Sequence, residues 1–209
     1  RYQVYGGVGP ENKKKLWRET SMVLKARQQT NGQVLTFNGK GFRTFFHSTS
    51  GGFTTDVRTG LGFDMELAPL GGTDLGSYCT DAPKYKWTIK LHDSEVGARL
   101  IENGMGNINI MKMEKGEMSN SGHAVTVKIY NNRGRHVTVD ARELRRVLGL
   151  YSTNFVAHRD GSEWSFIGKG YGHGCGMCQW SARGMAKDGW NADEILKTMY
   201  PGSELEIIY

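Results

Sequence analysis

The chain has 209 residues, enough for one domain, or two small ones, with a sizeable hydrophobic core. Apolar residues make up 38%, charged residues 23%, and there are only 4 prolines, a balance that excludes a disordered or linker-rich chain. Three cysteines exclude a disulfide framework, and the net charge of +6 draws the surface toward polyanions, either nucleic acid or an anionic cell envelope. In chain order, residues 1–10 read as a short strand or loop ending at Gly9-Pro10, and Glu11 to Thr30 as a helix stopped by Asn31-Gly32. Val34–Phe37 and Phe42–Phe46 flank Asn38-Gly39, a hairpin signal. Residues 56–84 lack periodicity and are expected to be a long ordered loop. A strand over Lys86–Leu91 leads to a helix capped by Asp93 or Ser94 that ends at Asn103. Asn107–Met113, Ala124–Tyr130 and Arg135–Val139 alternate like strands, with a turn at 131–134. Asp140 caps a helix over Ala141–Leu148, stopped by Gly149. Strands at Asn154–Arg159 and Glu163–Ile167 follow, then helices over Gln179–Lys187 and Asn191–Met199, then a last strand over Glu204–Tyr209. Strands and helices mix without βαβ regularity, so the predicted class is α+β.

No run of about 18 apolar residues exists, so no membrane span is expected. The chain opens on Arg1 with no initiator Met and no secretory leader, as a trimmed or cleaved product would. Two basic clusters, at 13–15 and at Arg142, Arg145 and Arg146, fall in helical segments and read as solvated faces. They carry no aromatic-plus-basic pattern of a nucleic-acid binder, and no nucleic-acid partner is expected.

The stretch from Gly168 to Gly176 alternates glycine with Lys169, Tyr171, His173 and Cys175, then runs through Met177, Cys178 and Gln179 into a helix. Such glycines let another group approach closely. The stretch is therefore either a tight core turn or the wall of a site. A second segment, His47-Ser48-Thr49-Ser50-Gly51-Gly52-Phe53-Thr54, is rich in hydroxyls. His47 and His173 with Ser48, Ser50, Thr54 and Gln179 form a set suited to a polar ligand such as a sugar. The same set admits a Ser–His nucleophile–base pair, but neither an acidic orienter nor a Gly-x-Ser-x-Gly elbow supports that. His173, Cys175 and Cys178 have zinc-ligand character, with Cys79 as a fourth candidate. A redox dithiol and plain apolar packing also fit the cysteines. Asp56, Asp64, Glu66, Asp74 and Asp81 lie in the 56–84 segment without paired spacing and read as turn or surface residues.

These segments together resemble the SpoIID/LytB domain of bacterial cell-wall proteins. The resemblance rests on 47–54, on 170–182 (Gly-Tyr-Gly-His-Gly-Cys-Gly-Met-Cys-Gln-Trp-Ser-Ala), on Gln3-Val4-Tyr5-Gly6-Gly7, on 32–39 and on 142–149, in the family's order and over nearly the whole chain. It implies one SpoIID-like domain over 1–209, extracytoplasmic or secreted, acting on peptidoglycan glycan strands. The activity implied is that of a lytic transglycosylase leaving 1,6-anhydro-muramic ends; the alternative is a wall-binding or amidase-enhancing module with a cell-wall amidase as partner. No cofactor is required on this reading. Tyr171 joins His47, Ser48, Ser50, Thr54, His173 and Gln179 as the expected sugar-binding set. The family's catalytic glutamate and its His/Cys zinc region lie upstream of the Gln-Val-Tyr-Gly-Gly segment, so neither transfers to this chain, and Glu11 and Glu19 are not substitutes. The family's usual Val and Ser are Cys175 and Cys178 here, which keeps a local metal or disulfide role open.

Overall fold

A computed structural model of the chain describes residues 21–105 and 109–208. The segment 1–10 and the first part of the 11–30 helix lie outside the described residues. The chain resolves into two compact units, one of residues 1–42 with 204–209 and one of residues 43–203.

The first unit contains helix α1 (Ser21–Gln29), strand β1 (Gln33–Phe37) and a two-residue strand β2 (Lys40–Gly41). Asn38 and Gly39 have φ of 52° and 69°, as a two-residue hairpin turn requires. The hairpin is real but its second arm stops at Gly41 rather than running through Phe46. Strand Glu204–Ile207, β11 in chain order, lies antiparallel on the other side of β1, with Leu35 opposite Leu205.

The second unit holds the core. It begins with β3 (Phe46–His47) and α2 (Val57–Leu61), a short helix inside the segment expected to be loop. Asp56 builds that helix: its carboxylate accepts from Thr59 N and from Thr59 Oγ1, both at 2.7 Å. Strand β4 (Lys86–His92) runs into α3 (Asp93–Glu102). The cap of α3 is His92, whose Nδ1 accepts from Ser94 N, not Asp93 or Ser94. The Asp93 carboxylate is taken instead by Trp164 Nε1 at 2.7 Å and Arg159 at 2.9 Å. Burial pushes this carboxyl up, but those two hydrogen bonds outweigh it and hold it below the usual range.

Then come β5 (Ile110–Lys115), β6 (Thr126–Asn131), β7 (His136–Asp140) and α4 (Ala141–Leu148). The Asp140 carboxylate caps α4 through Arg142 N and Glu143 N, and Gly149 closes it, as the sequence indicates. Strands β8 (Phe155–Asp160) and β9 (Glu163–Lys169) pair with β4 in the order β4-β9-β8, while β5-β6-β7 form a second antiparallel sheet. Period-two alternation turns Trp87 and Leu91 of β4, and Trp164 and Phe166 of β9, into one core with Val96, Leu100, Leu144 and Leu148 of the helices. Each such apolar side chain contributes about 1.5–3 kcal/mol by burial. The chain ends its core with the two-residue strand β10 (Met177–Cys178), α5 (Gln179–Lys187) and α6 (Ala192–Met199), the last opened by an Asn191–Glu194 capping box. Helices and mostly antiparallel strands in several small sheets make the fold α+β.

Candidate functional site

The two motif segments lie side by side. β10 pairs parallel with β3, placing Cys178 opposite His47. Thr49 and Tyr171 exchange two backbone hydrogen bonds, at 3.0 and 2.7 Å, and Thr55 N donates to Gly174 O at 2.8 Å. The alternating glycines are what permits this. A Cβ at Gly172 would meet His47 Cβ at 2.7 Å, one at Gly174 would meet His123 Cε1 at 2.9 Å, and one at Gly176 would meet Phe45 O at 2.1 Å. The stretch is therefore both a tight turn against the core and a wall.

His47 and His173 face each other with ring centroids 5.5 Å apart. His47 is 4% exposed. Its Nδ1 lies 3.2 Å from Cys175 O, which only accepts, so the proton is on Nδ1 and Nε2 is a bare, buried acceptor without a hydrogen-bond partner among the described residues. Burial first, then His173, depress this imidazole to about 3. His173 is held by backbone on both sides: Nε2–H donates to Phe46 O at 2.9 Å, and Nδ1 accepts from Cys175 N at 3.1 Å. It clamps the two segments together, and burial lowers its pKa.

The hydroxyls divide. Ser50 and Thr54 are buried. Ser50 Oγ accepts from Gly52 N, and Thr54 Oγ1 accepts from Thr73 N at 2.7 Å, so both close their own loops. Ser48 is half-buried beside Thr49 Oγ1 at 3.3 Å. Tyr171, 44% exposed, and Gln179 at the start of α5 reach solvent. Of the two segments' candidate residues, Tyr171 and Gln179 are thus exposed and Ser48 half-buried, while the histidines are more deeply buried.

Two residues that sequence reasoning passed over belong here. His123 is 1% exposed; its Nδ1 lies 3.0 Å from Thr153 Oγ1, and its Nε2 is buried without a hydrogen-bond partner among the described residues. Burial, then the charges of Lys115 and Arg145, lower it to about 4. Arg145 of α4 donates Nε–H to Tyr151 O, and its charge is felt at all three imidazoles. Their distance in sequence from both motifs hid them; only the glycine opposite His123 gave a signal.

Cys79 and Cys178 meet, and Cys175 lies apart from them. Cys178 contacts Cys79, and that contact together with burial pushes the Cys178 thiol up. Ser50 N donates to Cys178 Sγ at 3.2 Å, and Ser181 N does so at 3.3 Å, so the thiol caps α5. Cys175 is buried elsewhere, against Gly60, and burial then Asp56 push its thiol up to about 12. His173 has no ring nitrogen to spare. Among the described residues no group of three or more His, Cys, Asp or Glu is disposed to hold a metal, so His173, Cys175 and Cys178 do not fit the zinc site that their spacing suggested. All three cysteines are free thiols. Of the loop carboxylates, Asp56 caps α2, Asp74 accepts from Gly76 N, and Asp81 pairs with Lys187.

Fold and wall together define an α+β protein with a glycine-threaded wall backed by neutral histidines. A family model described as Domain of unknown function (DUF8618) matches residues 73–176. The chain is 30% identical over 183 residues to Stage II sporulation protein D of Bacillus subtilis (strain 168), covering 88% of this chain and 50% of that protein. It is 31% identical over 213 residues to an uncharacterized protein of Brachyspira hyodysenteriae (strain ATCC 49526 / WA1), covering 98% of this chain and 52% of that protein. It is 25% identical over 254 residues to the Amidase enhancer of Bacillus subtilis (strain 168), covering 98% of this chain and 34% of that protein. The chain spans about half the length of the curated relatives it matches, or less. The sporulation protein D and amidase enhancer relatives support a SpoIID/LytB-like family for this chain.

Proposed function

We propose that this chain is the glycan-engaging part of a cell-wall protein, and that the intact protein cleaves peptidoglycan glycan strands as a lytic transglycosylase outside the cytoplasm. The observation that carries the reading is the wall itself: two segments far apart in sequence run side by side, hydrogen-bonded to each other, with Tyr171 and Gln179 exposed and Ser48 half-buried. An exposed aromatic face with a few polar groups beside it suits a pyranose ring, which has an apolar face and polar edges. The buried, neutral histidines are poor general acids at neutral pH, since their protonated forms are disfavoured by burial. The family resemblance implies a glutamate upstream of the Gln3–Gly7 segment as the proton donor for the glycosidic oxygen, with this wall holding the sugar.

The name Amidase enhancer, carried by one relative, favours a second reading: a module that binds wall and raises the turnover of an amidase. Mass spectrometry of glycan strands stripped of stem peptides, after incubation with the intact protein, separates the two. Anhydro ends are the expected result. Uncut strands, together with faster release of stem peptides by an added amidase, would replace the first reading with the second.

A further inference from the structure

Two thiols that the glycan reading leaves unused stand together. Cys79 and Cys178 are far apart in sequence, both fully buried, and share a neighbour in Ser50. Ser50 N donates to Cys178 Sγ at 3.2 Å, and Ser50 Oγ lies 3.5 Å from Cys79 Sγ. That hydroxyl oxygen already accepts from Gly52 N, which leaves its proton for Cys79. The Cys178 proton has two acceptors in reach, Ser48 O at 3.7 Å and Cys79 itself.

The contact is held in place from outside the pair. Residues 78–81 lie along α5, the helix that Cys178 caps. A Cβ at Gly184 would meet Tyr78 O at 2.2 Å, the Tyr78 ring is 6.0 Å from that of Trp190, and Asp81 pairs with Lys187 at 3.4 Å. The two sulfurs also differ in character. The hydrogen bond from Cys178, and then that from Ser50, hold the Cys79 thiol below its usual range against the effect of burial. The same contact together with burial pushes the Cys178 thiol up. One sulfur is thus prepared to attack while its neighbour keeps its proton, and these are the two roles in a dithiol that closes on itself.

We propose that Cys79 and Cys178 are a redox pair that closes to a disulfide, locking the 78–81 segment onto the glycine-threaded wall at the residue paired with His47. The inference stands apart from the glycan reading. The oxidant is a low-molecular-weight disulfide. The Cys79 thiolate attacks one of its sulfurs; that S–S bond breaks, and one thiolate leaves, taking up the proton that Cys79 released. Cys178 then attacks the Cys79 sulfur of the mixed disulfide, and its proton goes to the second departing thiolate. The protein loses two electrons and two protons, and one small disulfide becomes two thiols. Because both sulfurs are buried, the exchange runs while the chain folds or while residues 78–81 are lifted from α5. The bond closes a loop of about 100 residues, a length at which a disulfide restricts the unfolded chain strongly. Cys175, buried against Gly60, takes no part.

The test is refolding of the intact protein in buffers of reduced and oxidised glutathione, followed by alkylation, trypsin and mass spectrometry. A peptide pair joined through Cys79 and Cys178 is expected to accumulate as the share of oxidised glutathione rises, and fragmentation of that pair locates the bond without any variant. Cys175→Ala is expected to keep the link. Cys178→Ser, which keeps an oxygen to cap α5, is expected to lose it. The cross-linked protein is expected to melt about 10 °C above its reduced form, and Cys178→Ser is expected to melt at one temperature with or without reductant. Free, alkylated Cys79 and Cys178 at every glutathione ratio would overturn the pair. So would a link made through Cys175, or glutathione left on Cys79 and never passed on. A cross-linked protein that melts no higher than the reduced one would overturn the lock.

Discussion

Acidification from pH 7.5 to pH 5 is expected to cost the folded chain about 4 kcal/mol and to lower its melting temperature by roughly 10 °C. The cause is a pair of buried neutral imidazoles. His47 is depressed from 6.5 to about 3, by burial and then by His173, and His123 from 6.5 to about 4, by burial and then by Lys115 and Arg145. The unfolded chain takes up a proton on each near pH 6.5, whereas the folded chain does so only near 3 to 4. Their contribution is complete above pH 6.5 and is lost as pH falls toward the folded values. At pH 5 the pH lies about 1.5 units below the pKa of each unfolded imidazole, which is worth about 2 kcal/mol per histidine at about 1.36 kcal/mol per unit. His173 is shifted in the same direction. Asp93 and Asp140 are both held below 3.8, so their losses come at lower pH. Thermal melts across pH 5–7.5 read the effect directly; a melting temperature flat over that window would contradict it. His123→Gln should remove about half of the pH slope.

Gly176→Ala is expected to destabilise the chain by at least about 3 kcal/mol. Gly176 has φ of 68°, and an added Cβ would lie 2.1 Å from Phe45 O. That carbonyl accepts from Met177 N at 2.9 Å and from the Tyr200 hydroxyl at 2.6 Å, so moving it away strains two hydrogen bonds that join the segments. Gly134→Ala is the control: its φ is 72°, but nothing lies within 4 Å of the new Cβ, and only the left-handed penalty of about 1–2 kcal/mol applies. Denaturant unfolding measures both. A Gly176→Ala loss no larger than that of Gly134→Ala would mean that the segments can part at little cost.

Much of the second unit was legible because its cues are local. Alternation marks β4, β6, β8 and β9, Asp140 and Gly149 bracket α4, and Asn191 opens α6. What escaped depends on contacts between distant residues. The arm after Asn38-Gly39 looks long because Phe42, Phe45 and Phe46 have strand-forming side chains, yet Phe46 pairs with Met177 rather than with the hairpin. His92 caps α3 with a ring nitrogen, a cap that residue-type rules do not favour, because Asp93 is drawn to Trp164 and Arg159. In the site, the proximity of 47–55 to 170–178 followed from the paired motifs. The division of labour within them did not, since burial decides that Ser50 and Thr54 close loops and that both ring nitrogens of His173 are spent on backbone. Arg145 looked like part of a solvated basic face, and only the fold separates it from Arg142 and Arg146.

The central claim is that the wall binds glycan through its exposed side chains. Calorimetric titration of soluble glycan strands into wild type and Tyr171→Ala measures this most directly, because Tyr171 is exposed and its removal leaves the histidine clamp intact. The expected result is saturable binding by wild type and a loss of tenfold or more in Tyr171→Ala at an unchanged melting temperature. Equal binding by the two proteins, or no heat from either, would contradict it.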